Sequence, residues 1–294
     1  MSILITGATG FVGKSLCALL EQSEHSIRRS HQRMNALDWS QVLLSVNTVI
    51  HLAARVHVMQ DKSADPLAEF RVVNVDGTLN LARQSAAAGV KRFIFLSSIK
   101  VNGEYTCPGQ PFTADKANPQ DPYGISKYEA EIGLRKIAAE TGMQVVIIRP
   151  PLVYGAGVKA NFASLLRVVK RGLPLPLGAV TQNRRSFVAL VNLVDLIITC
   201  INHPNAANQT FLVSDGEDVS TTNLLRKMAL AQGVASRLIP VPVALLNLCA
   251  KMISKQDIAQ RLLGNLQVDI THTQKTLDWQ PIISLDEGLR RAVG

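Results

Sequence analysis

The feature that most constrains the fold is a regular alternation of short apolar runs with longer helix-like segments in the first half of the chain. The apolar runs are nearly uninterrupted and rich in β-branched residues: ILIT at 3–6, TVIHL at 48–52, FIFLS at 93–97 and VVIIR at 145–149. Strands covered by helices on both faces have this texture, and strands that alternate with helices build parallel sheets. We therefore predict an α/β fold with a doubly wound parallel sheet.

A glycine-rich turn follows the first predicted strand. Residues 6–13 read Thr-Gly-Ala-Thr-Gly-Phe-Val-Gly and lead into a predicted helix. Gly7, Gly10 and Gly13 let the backbone approach a pyrophosphate, whose charge is stabilised by the exposed amides at the start of the helix. The position in a βαβ series favours a dinucleotide site over a plain tight turn. Gly13-Lys14-Ser15 resembles the end of a Walker loop, but that motif needs glycine at position 8, which is alanine.

The texture of the chain changes after Pro150 and Pro151, where loops become more frequent. We predict a dinucleotide-binding domain over 1–150, with a return to it at 187–214, and a smaller C-terminal substrate-binding domain over 151–186 and 215–294. Strands are expected at 2–6, 48–52, 92–97, 144–149 and 209–213, and helices at 10–22, 75–88, 122–141, 161–170 and 221–232.

Composition excludes several classes of protein. The 294 residues are 47% hydrophobic and 18% charged, which is too apolar for a disordered chain and enough for a sizeable core. The four cysteines lie far apart and the six histidines show no metal-ligand spacing, so no metal site is expected. Buried, reduced thiols and the absence of an export signal before the first strand indicate a cytoplasmic protein.

The net charge of +9 attracts polyanions such as nucleotides, pyrophosphates and nucleic acids. The basic residues are scattered and aromatic residues make up 5%, which argues against a nucleic-acid partner. The longest apolar stretch, 238–253, contains two prolines and a lysine and falls short of the ~20 residues of a spanning helix. We expect a core or interface helix there, without stable membrane insertion.

A second group of candidate functional residues lies on the helix predicted over 122–141. Tyr123 and Lys127 are four residues apart, so both side chains project from one helix face. A nearby ammonium stabilises a phenolate and moves the tyrosine pKa of ~10 towards the working pH, which creates a general acid/base. Ser97 and Ser98 end the strand before this helix and supply a hydroxyl for a substrate oxygen.

These motifs together resemble the extended short-chain dehydrogenase/reductase family, and the resemblance extends over essentially the whole chain. Such proteins have a Rossmann-type sheet and mostly act on nucleotide-activated sugars. The resemblance is closest to bacterial surface-polysaccharide enzymes that are nucleotide-sugar 4-epimerases or 4-keto-sugar reductases. It rests on the glycine turn, His51-Leu-Ala-Ala54, Asn74-Val-Asp-Gly-Thr78, Ser97-Ser98, Val101-Asn-Gly103, Tyr123 to Lys127 and Arg149-Pro-Pro-Leu-Val-Tyr-Gly155.

The resemblance also implies roles for individual residues. Ser98 is the catalytic hydroxyl, Tyr123 the acid/base, and Lys127 tunes Tyr123 and holds the nicotinamide ribose. Arg185, followed by Ser186 where the family usually has aspartate, binds the diphosphate of a UDP-sugar substrate, with Asn161 and Arg261 as further substrate contacts. The implied cofactor-binding residues are Gly7, Gly10, Phe11, Val12, Gly13, Asp38, Leu52, Ala53, Ala54, Asn74, Tyr123, Lys127 and Pro150.

Three reactions at C4 of the sugar are considered. Dehydratases of the family carry an acidic pair after the catalytic hydroxyl, whereas Ile99 and Lys100 follow Ser98 here. The expected reaction is reduction of a UDP-4-keto-6-deoxy-N-acetylhexosamine for surface polysaccharide such as O-antigen, with a UDP-hexose or UDP-N-acetylhexosamine 4-epimerase as the alternative. A non-enzymatic NADP-binding regulator is the third hypothesis, although such proteins typically lose the tyrosine and lysine.

The end of the second strand bears on the cofactor. NAD-selective sites place an acid there to bind the ribose hydroxyls, and an arginine accommodates the 2′-phosphate of NADP. This stretch contains Arg28, Arg29 and Arg33 and no acid, which favours NADP over NAD. A homodimer is expected, because the helices over 75–88 and 122–141 carry small or apolar faces and, by resemblance, pair into a four-helix bundle.

Overall fold

The computed structural model describes residues 1–30, 32, 36–56, 65–158 and 160–293, without the side chains of residues 160 and 161. Within these residues, six parallel strands form the main sheet in the order β2-β1-β3-β4-β5-β8. The order runs outward in both directions from a single switch point between β1 and β3, as in a doubly wound Rossmann-type sheet, and confirms the predicted fold class. The strands are β1 Ser2–Thr6, β2 Ser26–Arg29, β3 Thr48–His51, β4 Arg92–Leu96, β5 Gln144–Arg149 and β8 Thr210–Leu212.

Three further strands form a small second sheet in the order β6-β7-β9. They are β6 Leu152–Tyr154, β7 Arg185–Ala189 and β9 Asp218–Val219, and β7 pairs parallel with β6 and antiparallel with β9. Since β6 follows β5 after two residues, the second sheet begins at the carboxyl edge of the first.

The described helices flank both sheets. They are α1 Phe11–Leu20, α2 Ser40–Leu43, α3 Pro66–Arg71, α4 Gly77–Ala87, α5 Pro122–Thr141, α6 Ala160–Lys170, α7 Leu190–Asn202, α8 Thr221–Ala231, α9 Val243–Met252, α10 Gln256–Leu263, α11 Thr271–Leu277 and α12 Leu285–Val293. A π-helical turn over Val72–Asp76 joins α3 to α4, and 3₁₀ turns lie at Ile99–Val101 and Pro204–Ala206.

Alternate residues of the strands feed two cores on opposite faces of the main sheet. Ile3 and Ile5 pack with α1 and α7, whereas Leu4 packs with α4 and α5. This period of two explains why the strands are apolar throughout, because both faces are covered. A third core, which contains Tyr154 and Phe187, lies between the small sheet and helices α6, α8 and α12.

Several element predictions need correction. The helix predicted from residue 75 begins at Pro66, where Asp65 accepts the Ala68 amide as an N-cap, and the π turn continues it. The stretch 238–253 forms α9, which buries none of its residues fully, so it is not a core helix. Cys17 and Cys200 are buried, but Cys107 and Cys249 are exposed. The bounds of α5 and β5 agree with the prediction.

Candidate active site

The glycine turn after β1 is packed so closely that side chains do not fit. Gly7 has φ +70, and a Cβ there would lie 2.6 Å from the Ala53 amide nitrogen. A Cβ on Gly13 would lie 2.2 Å from the Gly7 carbonyl oxygen. Gly7 and Gly13 are therefore required by the approach of the turn to the loop after β3 and to the first turn of α1.

A cleft of about 980 Å³ opens at the carboxyl ends of the main-sheet strands, where ligands bind in open α/β sheets. Gly10 is the N-cap of α1 and has no side chain to accept the first amides of the helix. Those amides and the helix dipole suit a pyrophosphate, so the cleft fits a dinucleotide. Of the predicted cofactor residues, the cleft is lined by Gly7, Gly10, Phe11, Val12, Gly13, Leu52, Ala53, Ala54 and Tyr123.

Sequence reasoning missed about half of this cleft. Ser30 and Gln32 follow β2, and Arg55 and Val56 follow β3, at positions without a motif of their own. These residues line the cleft because every parallel strand ends at the same edge. Thr9, Glu69, Val72, Val73, Leu96 and Ser97 complete the lining.

Asn74 holds the loop after β3 in place from the π-helical turn. Its side-chain oxygen accepts the Arg55 amide at 2.8 Å, and its amide donates to the Arg55 carbonyl at 3.1 Å and to the Ser126 hydroxyl at 3.0 Å. Asn74 is 1% exposed, so these bonds are protected from water. Asn74, implied by the resemblance to bind the cofactor, does not line the cleft but connects the loop after β3 to α5. π turns of this kind are frequent at functional sites.

Ser98 and Tyr123 meet where the 3₁₀ turn after β4 contacts the first turn of α5. The Ser98 hydroxyl donates a hydrogen bond to the Tyr123 phenol, which lowers the pKa of the phenol. Gly124 permits this contact, since a Cβ there would lie 2.7 Å from the Lys100 carbonyl oxygen. Asp121 caps α5 by accepting the Gly124 amide at 2.6 Å.

The protonation state of Tyr123 differs from the sequence expectation. Burial, followed by the Asp121 carboxylate, raises the pKa of Tyr123 to about 12, in spite of the Ser98 hydrogen bond. The expected shift towards neutral pH through Lys127 is therefore not seen in the protein alone. In this state the phenol is a proton donor with Ser98 beside it.

Lys127 lies on the same face of α5 and is 1% exposed. Its Nζ lies 4.0 Å from the centroid of the Phe95 ring. Burial lowers the pKa of Lys127 to about 7, and the nearby Glu131 carboxylate opposes that shift. A lysine in this environment changes its charge close to neutral pH.

A buried ion pair supports this part of α5. Arg149, at the end of β5, donates to both carboxylate oxygens of Glu131 at 2.9 and 2.6 Å. The Ser97 hydroxyl also donates to Glu131, at 2.6 Å, and Arg149 donates to the Asn102 side chain at 3.1 Å. These bonds fix the ends of β4 and β5 to the helix that carries Tyr123 and Lys127, and sequence reasoning did not single out Glu131.

His51 lies behind this site without facing the cleft. It is fully buried, with its ring nitrogens 2.6 Å from the Thr6 hydroxyl and 2.9 Å from the Thr78 hydroxyl. Burial, with Lys127 nearby, lowers the pKa of His51 to about 3, so the imidazole is neutral. Its hydrogen bonds hold β1, β3 and α4 together.

The arginines predicted for the cofactor ribose have other partners. Arg28 donates to the carbonyl oxygens of Val42 at 2.7 Å and Leu44 at 3.1 Å, and Arg29 pairs with Glu21. Neither is among the residues that line the cleft, and Arg33 lies outside the described residues.

Asp38 and Pro150, like Asn74 and Lys127, are also predicted cofactor residues that are absent from the lining of the cleft. Asp38 is exposed and accepts the Ser40 amide at 2.8 Å at the start of α2. Pro150 is buried between β5 and β6, and its carbonyl accepts the Ile99 amide at 3.0 Å. Pro150 thus positions the 3₁₀ turn that follows Ser98.

A second cleft of about 320 Å³ lies in the C-terminal part and has two arginines among mainly aliphatic side chains. Arg185 comes from β7 and Arg261 from α10, and burial together with the Arg261 charge lowers the pKa of Arg185 to about 10. No carboxylate of the described residues pairs with either guanidinium, so the pair suits an anionic ligand. The side chain of Asn161 lies outside the described residues.

The serine at position 186, which departs from the expected aspartate, has a carboxylate partner. Its hydroxyl donates to Asp218 on β9 and accepts the Val268 amide at 2.9 Å. Asp218 thus brings a carboxylate to the Ser186 hydroxyl, and Arg185 itself has no carboxylate partner among the described residues.

Comparison with known proteins agrees with this geometry. A protein of Vibrio cholerae, "UDP-glucose 4-epimerase", is 52% identical over 307 aligned residues, which cover 99% of this chain and 94% of that protein. An Escherichia coli O157:H7 protein, "N-acetyl-alpha-D-glucosaminyl-diphospho-ditrans,octacis-undecaprenol 4-epimerase", is 29% identical over 86% of this chain and 80% of its own length.

A solved structure shows the same fold. The structure of RMD from Pseudomonas aeruginosa complexed with NADPH superposes with a TM-score of 0.79 at 22% identity, over 100% of this chain and 98% of that one. Residues 3–214 match the family described as NAD dependent epimerase/dehydratase. Together with the near-complete alignment to a 52% identical relative, this match shows that the chain belongs to the NAD dependent epimerase/dehydratase family and is an NAD(P)-dependent enzyme of the extended short-chain dehydrogenase/reductase type.

Proposed function

We propose that this enzyme interconverts the C4 epimers of a UDP-hexose or UDP-N-acetylhexosamine. The observation that carries the proposal is the 52% identity, over 99% of the chain, to a protein named UDP-glucose 4-epimerase. The epimerase alternative thus takes precedence over the 4-keto-sugar reductase expected from the sequence. The second alternative, a non-enzymatic regulator, is wrong, because the family and the intact tyrosine and lysine identify an enzyme.

In this proposal Tyr123 and Ser98 handle the proton on the sugar O4. A dinucleotide held at the glycine turn would supply hydride transfer at C4. Ser98 donates a hydrogen bond to O4. The Tyr123 phenolate takes the O4 proton when C4 is oxidised, and the resulting phenol returns that proton to O4 when C4 is reduced. Protonated Lys127 places a cation one helical turn from the phenol, which favours the phenolate when proton transfer occurs.

The cofactor that the described contacts favour is NAD. Arg28 donates hydrogen bonds to two backbone carbonyls, and Arg29 forms an ion pair with Glu21. Two of the three arginines expected to bind a 2′-phosphate therefore have partners within the protein. An epimerase also recycles one cofactor without net consumption, which fits a retained NAD.

The C-terminal cleft is proposed to bind the UDP part of the substrate. Arg185 and Arg261 would face the diphosphate, since guanidinium groups without carboxylate partners match its oxygens. The cleft wall around them is mainly aliphatic, which suits the flat faces of a base and a ribose.

The test uses purified enzyme with UDP-glucose and, separately, UDP-N-acetylglucosamine, without added cofactor. The proposal expects the 4-epimer of at least one substrate to appear by NMR, and mass spectrometry of the denatured enzyme to release NAD. Failure to epimerise either sugar would contradict it.

The reductase remains a second candidate because of one observation. The described residues at the end of β2, Arg29, Ser30 and Gln32, include no acid to bind the ribose hydroxyls of NAD. A reductase would convert a UDP-4-keto-6-deoxy-N-acetylhexosamine with stoichiometric loss of NADPH absorbance and would leave UDP-glucose unchanged. Running both assays on one preparation separates the two functions.

Assembly and location stay predictions. A homodimer through α4 and α5 is expected, with half-exposed Ile132 on α5 available for such a contact, and sedimentation at micromolar concentration tests it. All four cysteines are unbridged, including exposed Cys107 and Cys249, which fits the reducing cytoplasm. In the described part of the chain no helix is both long and apolar enough to cross a bilayer.

A further inference from the structure

The clearest apolar surface feature away from the cofactor cleft is the segment 239–258. Of the 18 large hydrophobic side chains that are exposed in the described chain, six lie in this segment of α9, α10 and their flanks. The six are Ile239, Leu245, Leu248, Met252, Ile253 and Ile258. Single exposed apolar residues are ordinary, but a cluster of this size marks an interaction surface.

Helix α9 has two apolar faces, of which one is used internally. Val243 and Leu246 are half-buried and pack against the C-terminal core. Leu245, Leu248 and Met252 are spaced three and four residues apart, so they share the opposite face, and they are 48%, 56% and 78% exposed. The packing of Val243 and Leu246 against the core therefore orients the face of Leu245, Leu248 and Met252, called the outer face of α9, towards solvent.

The charges around this face are positive. Arg237, Lys251 and Lys255 are exposed, and none of them has an ion-pair partner among the described residues. From 237 to 258 the sequence has these three basic residues and one acid, Asp257. An apolar helix face with lysines at its border is the pattern of helices that lie in the surface of an anionic membrane.

The same surface reaches the mouth of the substrate cleft. Ile258 is 52% exposed and also lines that cleft, together with Arg261 and Leu262 from the next turn of α10. A flat partner that covers α9 would therefore lie next to the cleft entrance.

We propose that the outer face of α9 and the adjoining start of α10 dock this enzyme on an anionic phospholipid bilayer. The apolar side chains enter the boundary between headgroups and acyl chains, and Lys251 and Lys255 contact the lipid phosphates. Docking is peripheral, because α9 has only ten residues, and it brings the substrate cleft to the membrane surface.

The test is flotation of the purified full chain with vesicles of phosphatidylglycerol and phosphatidylethanolamine, compared with phosphatidylcholine alone, in the absence of sugar substrates. The proposal expects binding to the anionic vesicles that weakens with salt. A Leu245→Ser, Leu248→Ser, Met252→Ser variant should lower the partition coefficient about tenfold or more. Circular dichroism checks that this variant is folded.

A second variant and two controls keep the result interpretable. Lys251→Glu with Lys255→Glu should weaken binding without changing the apolar face. Leu230→Ser removes an 80% exposed leucine from α8. Lys136→Glu reverses the charge of a side chain on α5 that is 76% exposed. Both variants should bind the vesicles like wild type.

Absence of vesicle binding by wild type, or equal losses in the controls, would overturn the proposal. The same holds if the α9 variants change the oligomeric state in sedimentation but not vesicle binding, because the face would then contact a second copy. Vesicle binding requires no turnover, so this result and the proposed epimerase activity fail or succeed independently.

Discussion

The two clefts of this molecule are built from different parts of the chain. The cofactor cleft is formed largely by backbone at the ends of β1, β3 and β4, with Gly7 and Gly13 packed against neighbouring main-chain atoms. The C-terminal cleft, which is proposed to bind the substrate, is formed by side chains from separate elements, mostly aliphatic, with Arg185 and Arg261 as its cations. A site made of backbone needs particular residues at fixed spacing, whereas a site made of side chains can be built in many ways.

The largest expected effect tests whether the proton transfer at O4 takes place in the cofactor cleft. We expect Tyr123→Phe to lower kcat about 10²- to 10⁴-fold, because it removes the group that exchanges the O4 proton. Cofactor affinity should change little, since the backbone amides of the glycine turn remain. Stopped-flow turnover and calorimetric binding of the dinucleotide measure the two quantities.

Tyr128→Phe is the matched control for that substitution. Tyr128 lies five residues further along α5 and is half-buried. It should keep wild-type turnover. Near-normal kcat in Tyr123→Phe would instead place the proton transfer on another group.

The next effect tests the dependence of the first cleft on backbone contacts. Gly13→Ala puts a Cβ 2.2 Å from the Gly7 carbonyl, so the turn must shift, which we expect to cost about 1–3 kcal/mol in stability and to remove most cofactor affinity. Gly10→Ala is the control, because its Cβ meets the same carbonyl at 3.2 Å. Denaturant unfolding and dinucleotide titration that show equal behaviour for the two variants would contradict this view of the turn.

These contacts also explain what the sequence could predict. The bounds of α5 and β5 and the doubly wound sheet follow from apolar periodicity, and the glycine turn was visible because close backbone approach admits only glycine. The π turn around Asn74 was missed, since it differs from an α-helix by one hydrogen-bond step and leaves no sequence pattern. Ser30 and Gln32 reach the cofactor cleft through chain topology, which a local motif does not encode.

The second cleft was less predictable for the opposite reason. Arg185 was suggested by resemblance, but its pairing with Arg261 depends on packing between β7 and α10, 76 residues apart in the chain. The stretch 238–253 was expected to form a core or interface helix, and the structure shows that α9 is apolar on two faces, of which the core contacts only one. Periodicity identifies apolar faces but does not tell which of two faces finds a partner.

A medium-sized effect tests the second cleft. We expect Arg185→Ala to raise KM for the sugar nucleotide about 10- to 100-fold, because a charge-assisted contact to the diphosphate contributes about 1.5–3 kcal/mol. Cofactor affinity should stay at the wild-type value. Arg184→Ala is the control, since Arg184 is exposed and donates to the Thr181 and Asn183 carbonyls. Equal KM values in the two variants would place the diphosphate elsewhere.

The smallest effect concerns the stability of α5, which carries Tyr123 and Lys127. Burial lowers the pKa of Lys127 from 10.5 to about 7 in the folded protein. Between these two values the unfolded chain binds more protons at this residue than the folded chain, so its contribution to stability rises with pH. We therefore expect Lys127→Met to lose turnover but to melt a few degrees above wild type at pH 6 to 7. The difference in Tm should narrow as the pH rises from about 7 to about 10.

Lys136→Met is the control, at an exposed site on the same helix, and its Tm should follow the wild-type curve over the whole pH range. A constant difference in Tm between Lys127→Met and wild type over this pH range would show that burial does not lower the pKa of Lys127 to about 7.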